Sequence, residues 1–409
     1  MTETLPTTDT GDTTGAHGPG INGRDGWSRR PASVIVGAEM SDSPPPESLP
    51  TGAPDPAGSG APLSDTGQDT RPAPEPSPEP LLSVRDVRLE AGHRTLVSLL
   101  SFDLAAGDRL VLVGGNGAGK STLLSALAGL TEPAAGSIRR PSDPPGVLFQ
   151  DGGLWPHMTV TEHLEFVDTH NDAGWRKRLL ETFDLSSLAD HKPEALSGGE
   201  RLRLSLARSL ANRPRWVLLD EPLAHLDPLV VAGVRESLPR LLDELGAASI
   251  VVTHDPDDVL HFGDRLISLS GHGGWWSGPA RFALDSPPTR DLAAFAGNGT
   301  ILSTVADHDG HADFGFGLDL TDCSPGEIVE AYLDAAAVRV VDETPHALRG
   351  RYVAPDRRGG CYVRVDERLL HCGESAGPHS AGAQVCVRLE GRVRRLLDDT
   401  TFRPPGPQA

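Results

Sequence analysis

Residues 114–121 read GGNGAGKS, preceded by the apolar run RLVLVG at 109–114 and followed by KSTLLSALAGL at 120–130. The pattern G-x-x-x-x-G-K-[ST] thus falls between a predicted strand and a predicted helix, the setting in which it has a mechanism. Gly114, Gly115, Gly117 and Gly119, with Asn116 and Ala118 between them, let successive backbone N–H groups turn toward one anion, and the helix start adds the positive end of its dipole. Lys120 is then placed to hold β- and γ-phosphates, Ser121 to ligate Mg²⁺, and Thr122 to assist. A glycine turn with a chance Lys-Ser would lack the flanking strand and helix. The loop alone does not separate kinases, GTPases and transport ATPases.

Outward from the loop, short apolar runs alternate with helical ones, which predicts an α/β domain. LLSVRDVRL at 81–89 reads as a strand, while RWVLLD at 215–220 and ASIVVTH at 248–254 are apolar runs ending in polar residues. Parallel strands that carry function at their carboxyl ends look like this. Residues 228–245 have helical periodicity. In WVLLDEP, Asp220 suits a partner of Mg²⁺, and the adjacent Glu221 offers a second carboxylate able to polarise an attacking water near the γ-phosphate. Alone, that acidic pair would read as a solvated strand end. LSGGERLRLSLARSL at 196–210 reads as a capped amphipathic helix: Ser197 caps, and Glu200 completes a capping box. Gly198 and Gly199 behind the cap expose backbone N–H groups at a positive helix end, a second anion-binding surface in one chain.

LSGGE resembles the signature motif of ABC ATPases. The order phosphate loop, Gln150, LSGGE, LLDEP, His225-Leu226-Asp227, His254 resembles that superfamily throughout residues 81–270. The resemblance implies that the signature of one subunit closes over ATP held by another's phosphate loop, so a second copy of the chain is expected in a head-to-tail dimer. It implies that Gln150, in VLFQDGGLWPHMTV, contacts Mg²⁺ and the attacking water and senses a transmembrane partner. LWPHMTVTEHLEF resembles the segment leading into the family's helical subdomain. Asp227 matches a loop that crosses the dimer interface, and His254, in VVTHD, a histidine that contacts the γ-phosphate without adding a full charge.

The implied site has Glu221, His254 and Gln150 as catalytic residues, with Gly114 to Thr122, Ser197, Gly198, Gly199, Asp220 and Asp227 around ATP. Ser121, Gln150 and Asp220 would surround Mg²⁺. Two features depart from the family. Ala91, in LEAGHRT, stands where an adenine-stacking aromatic is usual, with only His93 nearby, and the segments 136–150 and 159–196 are shorter than is common in importer subunits.

After about Gly297 the pattern shifts to TILSTVA, ADFGFGLDL, CYVRVDERLLHC and AQVCVRLEG, separated by turn residues, which predicts a small all-β barrel or sandwich. A β-rich region there, with AYLDAAAVRVV and ALRGRYVAPDRRGGCYVRV, resembles the TOBE (OB-like) extension of importer ATPases serving molybdate, sulfate, ferric iron or polyamines. The expected organisation is a tail at 1–80, an ABC ATPase domain with helical subdomain at 81–296, and the TOBE-like domain at 297–409. DHDGHAD, with His308 and His311, reads as a polar hairpin turn rather than a metal site. Cys323, Cys361, Cys372 and Cys386 have no C-x-x-C spacing and read as thiols in a reducing cytosol.

Residues 1–80 hold 15 of the 36 prolines and almost no aromatic residue, a composition that predicts disorder. A net charge of −20 argues against a nucleic-acid partner. No run approaches the roughly 18 apolar residues that span a bilayer, so membrane association is expected to be peripheral, on the cytoplasmic face, through a separate permease. The expected function is ATP hydrolysis energising solute import, with that permease and an extracytoplasmic solute-binding protein. The rivals are an exporter subunit, which the β extension disfavours, a non-transport ABC regulator, and a non-hydrolysing binding subunit, which Lys120, Glu221 and His254 disfavour.

Overall fold

The computed structural model describes residues 79–397 apart from 151, 225, 317, 342–346, 357–358, 374–378 and 391–392. Nearly all of the 1–80 tail, and with it the expectation of disorder there, lies outside the described residues, as does His225. In chain order the first elements are β1 (Leu82–Ala91), β2 (Arg94–Leu104), β3 (Arg109–Gly114), α1 (Lys120–Leu127), β4 (Ala135–Arg139), β5 (Gly146–Leu148), α2 (Val160–Val167), α3 (Ala173–Thr182) and α4 (Gly198–Ala211). There follow β6 (Trp216–Asp220), α5 (Pro228–Leu245), β7 (Ala248–Val252), α6 (Pro256–Phe262), β8 (Arg265–Leu269), β9 (Trp275–Pro279), α7 (Ala280–Asp285) and α8 (Arg290–Ala296).

The central sheet has the order β5-β6-β7-β3-β8-β9, parallel except for the antiparallel edge strand β9. Its inner strands are mostly apolar because both faces are covered. Leu110 and Leu112 of β3 point into one core and Val111 and Val113 into the other, and Trp216 and Leu218 of β6 are likewise separated from Val217 and Leu219. The first core lies under α1 and the antiparallel sheet β2-β1-β4; the second lies under α2 to α8. Strand β2 was not foreseen; it returns from β1 through a turn at Gly92, φ +61°, that pairs Ala91 with Arg94.

The predicted helix over 120–130 stops at Leu127. Gly129 is left-handed at φ +78°, its N–H reaches Ala126 O, and Leu130 N–H reaches Ser125 O. Those two bonds form a Schellman motif, which satisfies the last carbonyls and ends the helix.

The remaining strands are β10 (Gly299–Val305), β11 (Ala312–Asp313), β12 (Asp319–Leu320), β13 (Ile328–Asp334), β14 (Val338–Val341), β15 (Leu348–Pro355), β16 (Cys361–Val365), β17 (Arg368–Cys372), β18 (Gln384–Leu389) and β19 (Arg394–Arg395). They form sheets β10-β13-β19 and β14-β18-β15-β16-β17 around one core that includes Phe314, Val363 and Leu370. ADFGFGLDL is not one strand but a small hairpin, β11 with β12, because Gly315 and Phe316 turn the chain at φ +79° and +60°. The DHDGHAD segment forms a turn in which Asp307 Oδ1 accepts from the N–H groups of Asp309 and His311. This β region rests on α8 and the chain before it: Arg290 pairs with Glu330, and Leu397 N–H donates to Pro288 O.

Candidate functional site

Three adjacent strands end at one place. In the order β6-β7-β3, Asp220 is level with Val252, and Val252 is level with Leu112. The phosphate loop after β3, the acidic pair at the end of β6, and Thr253-His254 after β7 therefore emerge together at the carboxyl edge of the sheet, where open α/β sheets hold ligands.

The loop geometry depends on two glycines. At Gly114 a Cβ would lie 2.5 Å from Leu269 O; at Gly119, left-handed at φ +103°, it would lie 3.0 Å from Leu96 Cβ. Side chains are thus excluded where the loop is pressed against β8 and β2. Gly119 also precedes α1 without a side-chain cap, and the first turn carries no acidic residue. The N–H groups at that helix start are suited to a bound anion rather than to a protein side chain. Lys120 Nζ donates to the carbonyls of Gly114 and Gly115 at 2.8 and 3.1 Å, which draws its charge over the loop. Burial lowers the Lys120 pKa, against the raising influence of Glu221 and Asp220.

Ser121 Oγ donates to Asp220 Oδ2 at 2.9 Å. Burial raises the Asp220 pKa, Glu221 adds to the rise, and the Ser121 hydroxyl and Lys120 oppose it. A hydroxyl and a buried carboxylate joined beside a phosphate loop form an oxygen donor set of the kind Mg²⁺ prefers. The fit is good. Glu221 has a φ of +52°, and its N–H donates to Val252 O at 3.0 Å. That uncommon backbone for a non-glycine residue breaks from the strand while keeping the ladder bond. Its Oε1 is 3.4 Å from Nδ1 of His254, whose side chain is 70 % exposed.

A cleft of about 500 Å³ brings Gln150, Asp220 and Glu221 together with Gly198 and Arg201. Gln150 and the start of the LSGGE helix thus share one opening with the acidic pair. Ser197 caps α4 as expected: its Oγ accepts from Glu200 N–H at 3.3 Å, and its own N–H donates to Glu200 Oε2 at 2.7 Å. Asp227 is placed differently, as the N-cap of α5, with Oδ1 accepting from Leu229 N–H at 2.9 Å. It does not line the cleft.

The sequence reading missed what supports His254. Thr253 Oγ1 donates to Asp258 Oδ2 at 2.9 Å and accepts from Asp255 N–H at 3.0 Å. Arg235 of α5 bonds Asp258 Oδ1 at 2.7 Å and Asp255 Oδ2 at 3.0 Å. The residues on both sides of His254 are therefore tied to α5 and α6. The only sequence signal was Asp255-Pro256, a helix cap followed by a proline at the first helical position. At the other edge, Ala91 ends β1 exposed, and Arg94 opposite it donates to Gly271 O at 2.7 Å.

Residues 97–224 match the family described as ABC transporter. The chain is similar to the Fe(3+) ions import ATP-binding protein FbpC of Pseudomonas fluorescens, 34% identical over 55% of this chain and 69% of that protein. It is similar to the putrescine transport ATP-binding protein PotG of Escherichia coli, 30% identical over 77% of this chain and 89% of the relative. The molybdenum import ATP-binding protein ModC of Mycobacterium tuberculosis is 33% identical over 71% of this chain and 86% of its own length.

Proposed function

Because this chain belongs to the family of ABC transporter ATP-binding proteins, we propose that it binds and hydrolyses ATP to energise solute import through a separate transmembrane permease. The observation that carries the reading is the meeting of the Lys120 loop, the Ser121–Asp220 pair and the Glu221–His254 pair at the ends of three neighbouring strands. The names of the relatives above give ferric ions, putrescine and molybdenum as their cargo, which supports reading the cargo here as an inorganic ion or a polyamine, while similar proteins named for trehalose and maltose import leave a sugar as the rival.

In this account the loop N–H groups and Lys120 bind the triphosphate. Ser121, Asp220 and Gln150 would hold Mg²⁺, which supplies charge neutralisation at the phosphates. Glu221 orients water and accepts its proton, and His254, held beside Glu221, donates to the γ-phosphate edge. The surface at Ser197, Gly198 and Gly199 would meet the nucleotide of a second copy, with Asp227 at the junction. ATP closes the dimer by binding that state more tightly, and hydrolysis reopens it. Residues 151–195 pass the change to the permease. The region after Gly297 acts as a TOBE-like extension, with a solute-binding protein completing the system, and the chain sits at the inner membrane face through its permease.

Purification of the tagged chain from native membranes in mild detergent tests the assignment. Recovery of a permease with a solute-binding protein is the expected result. Recovery of a permease with no solute-binding protein would point to export, and of soluble partners alone to a non-transport role.

A further inference from the structure

His163, on α2, is fully buried, at 0 % exposure. Both ring nitrogens have partners that fix its chemistry. Nε2 faces the backbone N–H of Trp155 at 2.9 Å, and Nδ1 faces the carbonyl of Thr159 at 2.7 Å. A backbone N–H only donates and a carbonyl only accepts, so Nε2 carries no hydrogen and Nδ1 carries one. The ring is the neutral Nδ1–H tautomer.

What this ring holds is the segment 152–156, close after Gln150 in the sequence. Gly152 O accepts from Ser205 Oγ at 3.0 Å and from Arg208 at 2.8 Å, and Gly153 O accepts from Arg208 at 2.5 Å. Both glycines are left-handed, with φ of +67° and +55°. The Trp155 ring stacks on His163 with centroids 5.5 Å apart, and the Arg208 guanidinium lies 5.0 Å from the Trp155 centroid. Two anchors therefore define the path of residues 152–156: α4 at the glycines and His163 at Trp155. Gly152, Leu154 and Pro156 of that path line the cleft shared with Gln150 and Glu221.

We propose that His163 is a positioning residue for ATP hydrolysis: as the neutral imidazole it fixes the Trp155 backbone and thereby holds Gln150 at the cleft with Asp220 and Glu221. The inference rests on the reading of Gln150 given above. A protonated ring has no lone pair at Nε2, so it would set two donors against each other at the Trp155 N–H and release that anchor. Burial is the main influence keeping the ring neutral, and Arg208 of α4 and His157 of the preceding loop add to it. The Thr159 carbonyl and Glu162 on the same helix oppose them, and the net direction is a pKa below the ordinary histidine value. The anchor is intact at neutral pH and is lost as pH falls through the lowered pKa.

The test compares His163→Gln, which offers an acceptor without a titrating group, with His163→Ala in the full-length protein. ATP turnover and tryptophan fluorescence are followed from about pH 8 down to about pH 5. The expected result is a loss of kcat of about tenfold or more in H163A, with KM for ATP changed less than about threefold. H163Q should keep kcat within about threefold of the wild type at neutral pH and lose the part of the acid decline due to His163. The wild-type fluorescence step on acidification should vanish in H163Q. An acid limb in H163Q coincident with the wild type, or H163A turning over at the wild-type rate, would overturn the inference. If Glu221→Gln abolishes turnover while the His163 variants match the wild type, the positioning role alone fails; if Glu221→Gln is fully active, the underlying catalytic reading fails.

Discussion

Ser121 Oγ and Asp220 Oδ2 are hydrogen-bonded at 2.9 Å, joining the first turn of α1 to the end of β6 across 99 residues of sequence. The bond ties the phosphate loop to the acidic strand end, and it does so with a carboxylate that is 5 % exposed.

Keeping Asp220 ionised there costs stability. Its folded pKa is raised from 3.8 by burial, so the folded chain holds a proton more tightly than the unfolded chain, and stability falls as pH rises through that interval. Asp220→Asn is expected to raise the melting temperature of the nucleotide-free protein by about 2–4 °C while lowering ATP turnover about 100-fold or more. Calorimetry and a phosphate-release assay on the same sample check both. A variant less stable than the wild type would contradict the account.

The capping box of α4 predicts a different pH dependence. The backbone N–H of Ser197, and then the Ser197 side chain, hold the Glu200 carboxyl below its ordinary value of 4.5. This contribution is complete above the ordinary glutamate range and is lost as pH falls through the lowered pKa. Ser197→Ala should cost about 1 kcal/mol in urea unfolding at neutral pH. Glu200→Gln should lessen the acid sensitivity of unfolding below about pH 4.5, and equal sensitivity in both proteins would count against the box.

Arg235→Ala removes the cation that joins Asp255 to Asp258 around His254. It should destabilise the chain by about 2 kcal/mol and lower kcat about tenfold, with nucleotide affinity nearly unchanged. A wild-type kcat in the folded variant would show that the His254 loop needs no such support.

The parts legible in the sequence were those where one short motif fixes both backbone and chemistry. The glycines of 114–119, the Ser197–Glu200 box and the apolar runs ending at Asp220 and Val252 all appear in the structure with the expected local form. Strand β2 was harder to see because Gly92 is the one glycine or proline between RTLVSLLSFDL and the strand before it. ADFGFGLDL looked like one strand because its alternation continues through Gly315 and Phe316, whose positive φ is a backbone property. The supports of His254 were signalled only by Asp255-Pro256, and the partners of the His163 ring could not be read at all. Arg235 and Asp258 are 23 residues apart and meet only when α5 packs on α6. Likewise, a histidine within TVTEHLEF says nothing of which backbone N–H will face it.

Cysteine chemistry offers an independent check on the β region. Cys361 and Cys372 are opposite each other in the β16–β17 hairpin, both buried, and burial pushes the Cys372 thiol up to about 12. Cys323 is also buried, while Cys386 is half-buried. At about pH 8 a thiol-specific aromatic disulfide should modify Cys386 first in the native protein and reach all four cysteines only after denaturation. Rapid native labelling of Cys372, located by mass spectrometry, would contradict the packing of that hairpin.

The most direct test of the central claim is single-turnover ATP hydrolysis by Glu221→Gln beside the wild type. Glu221 meets His254 at 3.4 Å and lines the same cleft as Gln150 and Asp220. Removing its negative charge should leave ATP affinity within about threefold and slow hydrolysis about 100-fold or more. Hydrolysis by the variant at the wild-type rate would contradict the assignment of Glu221 as the residue that activates water.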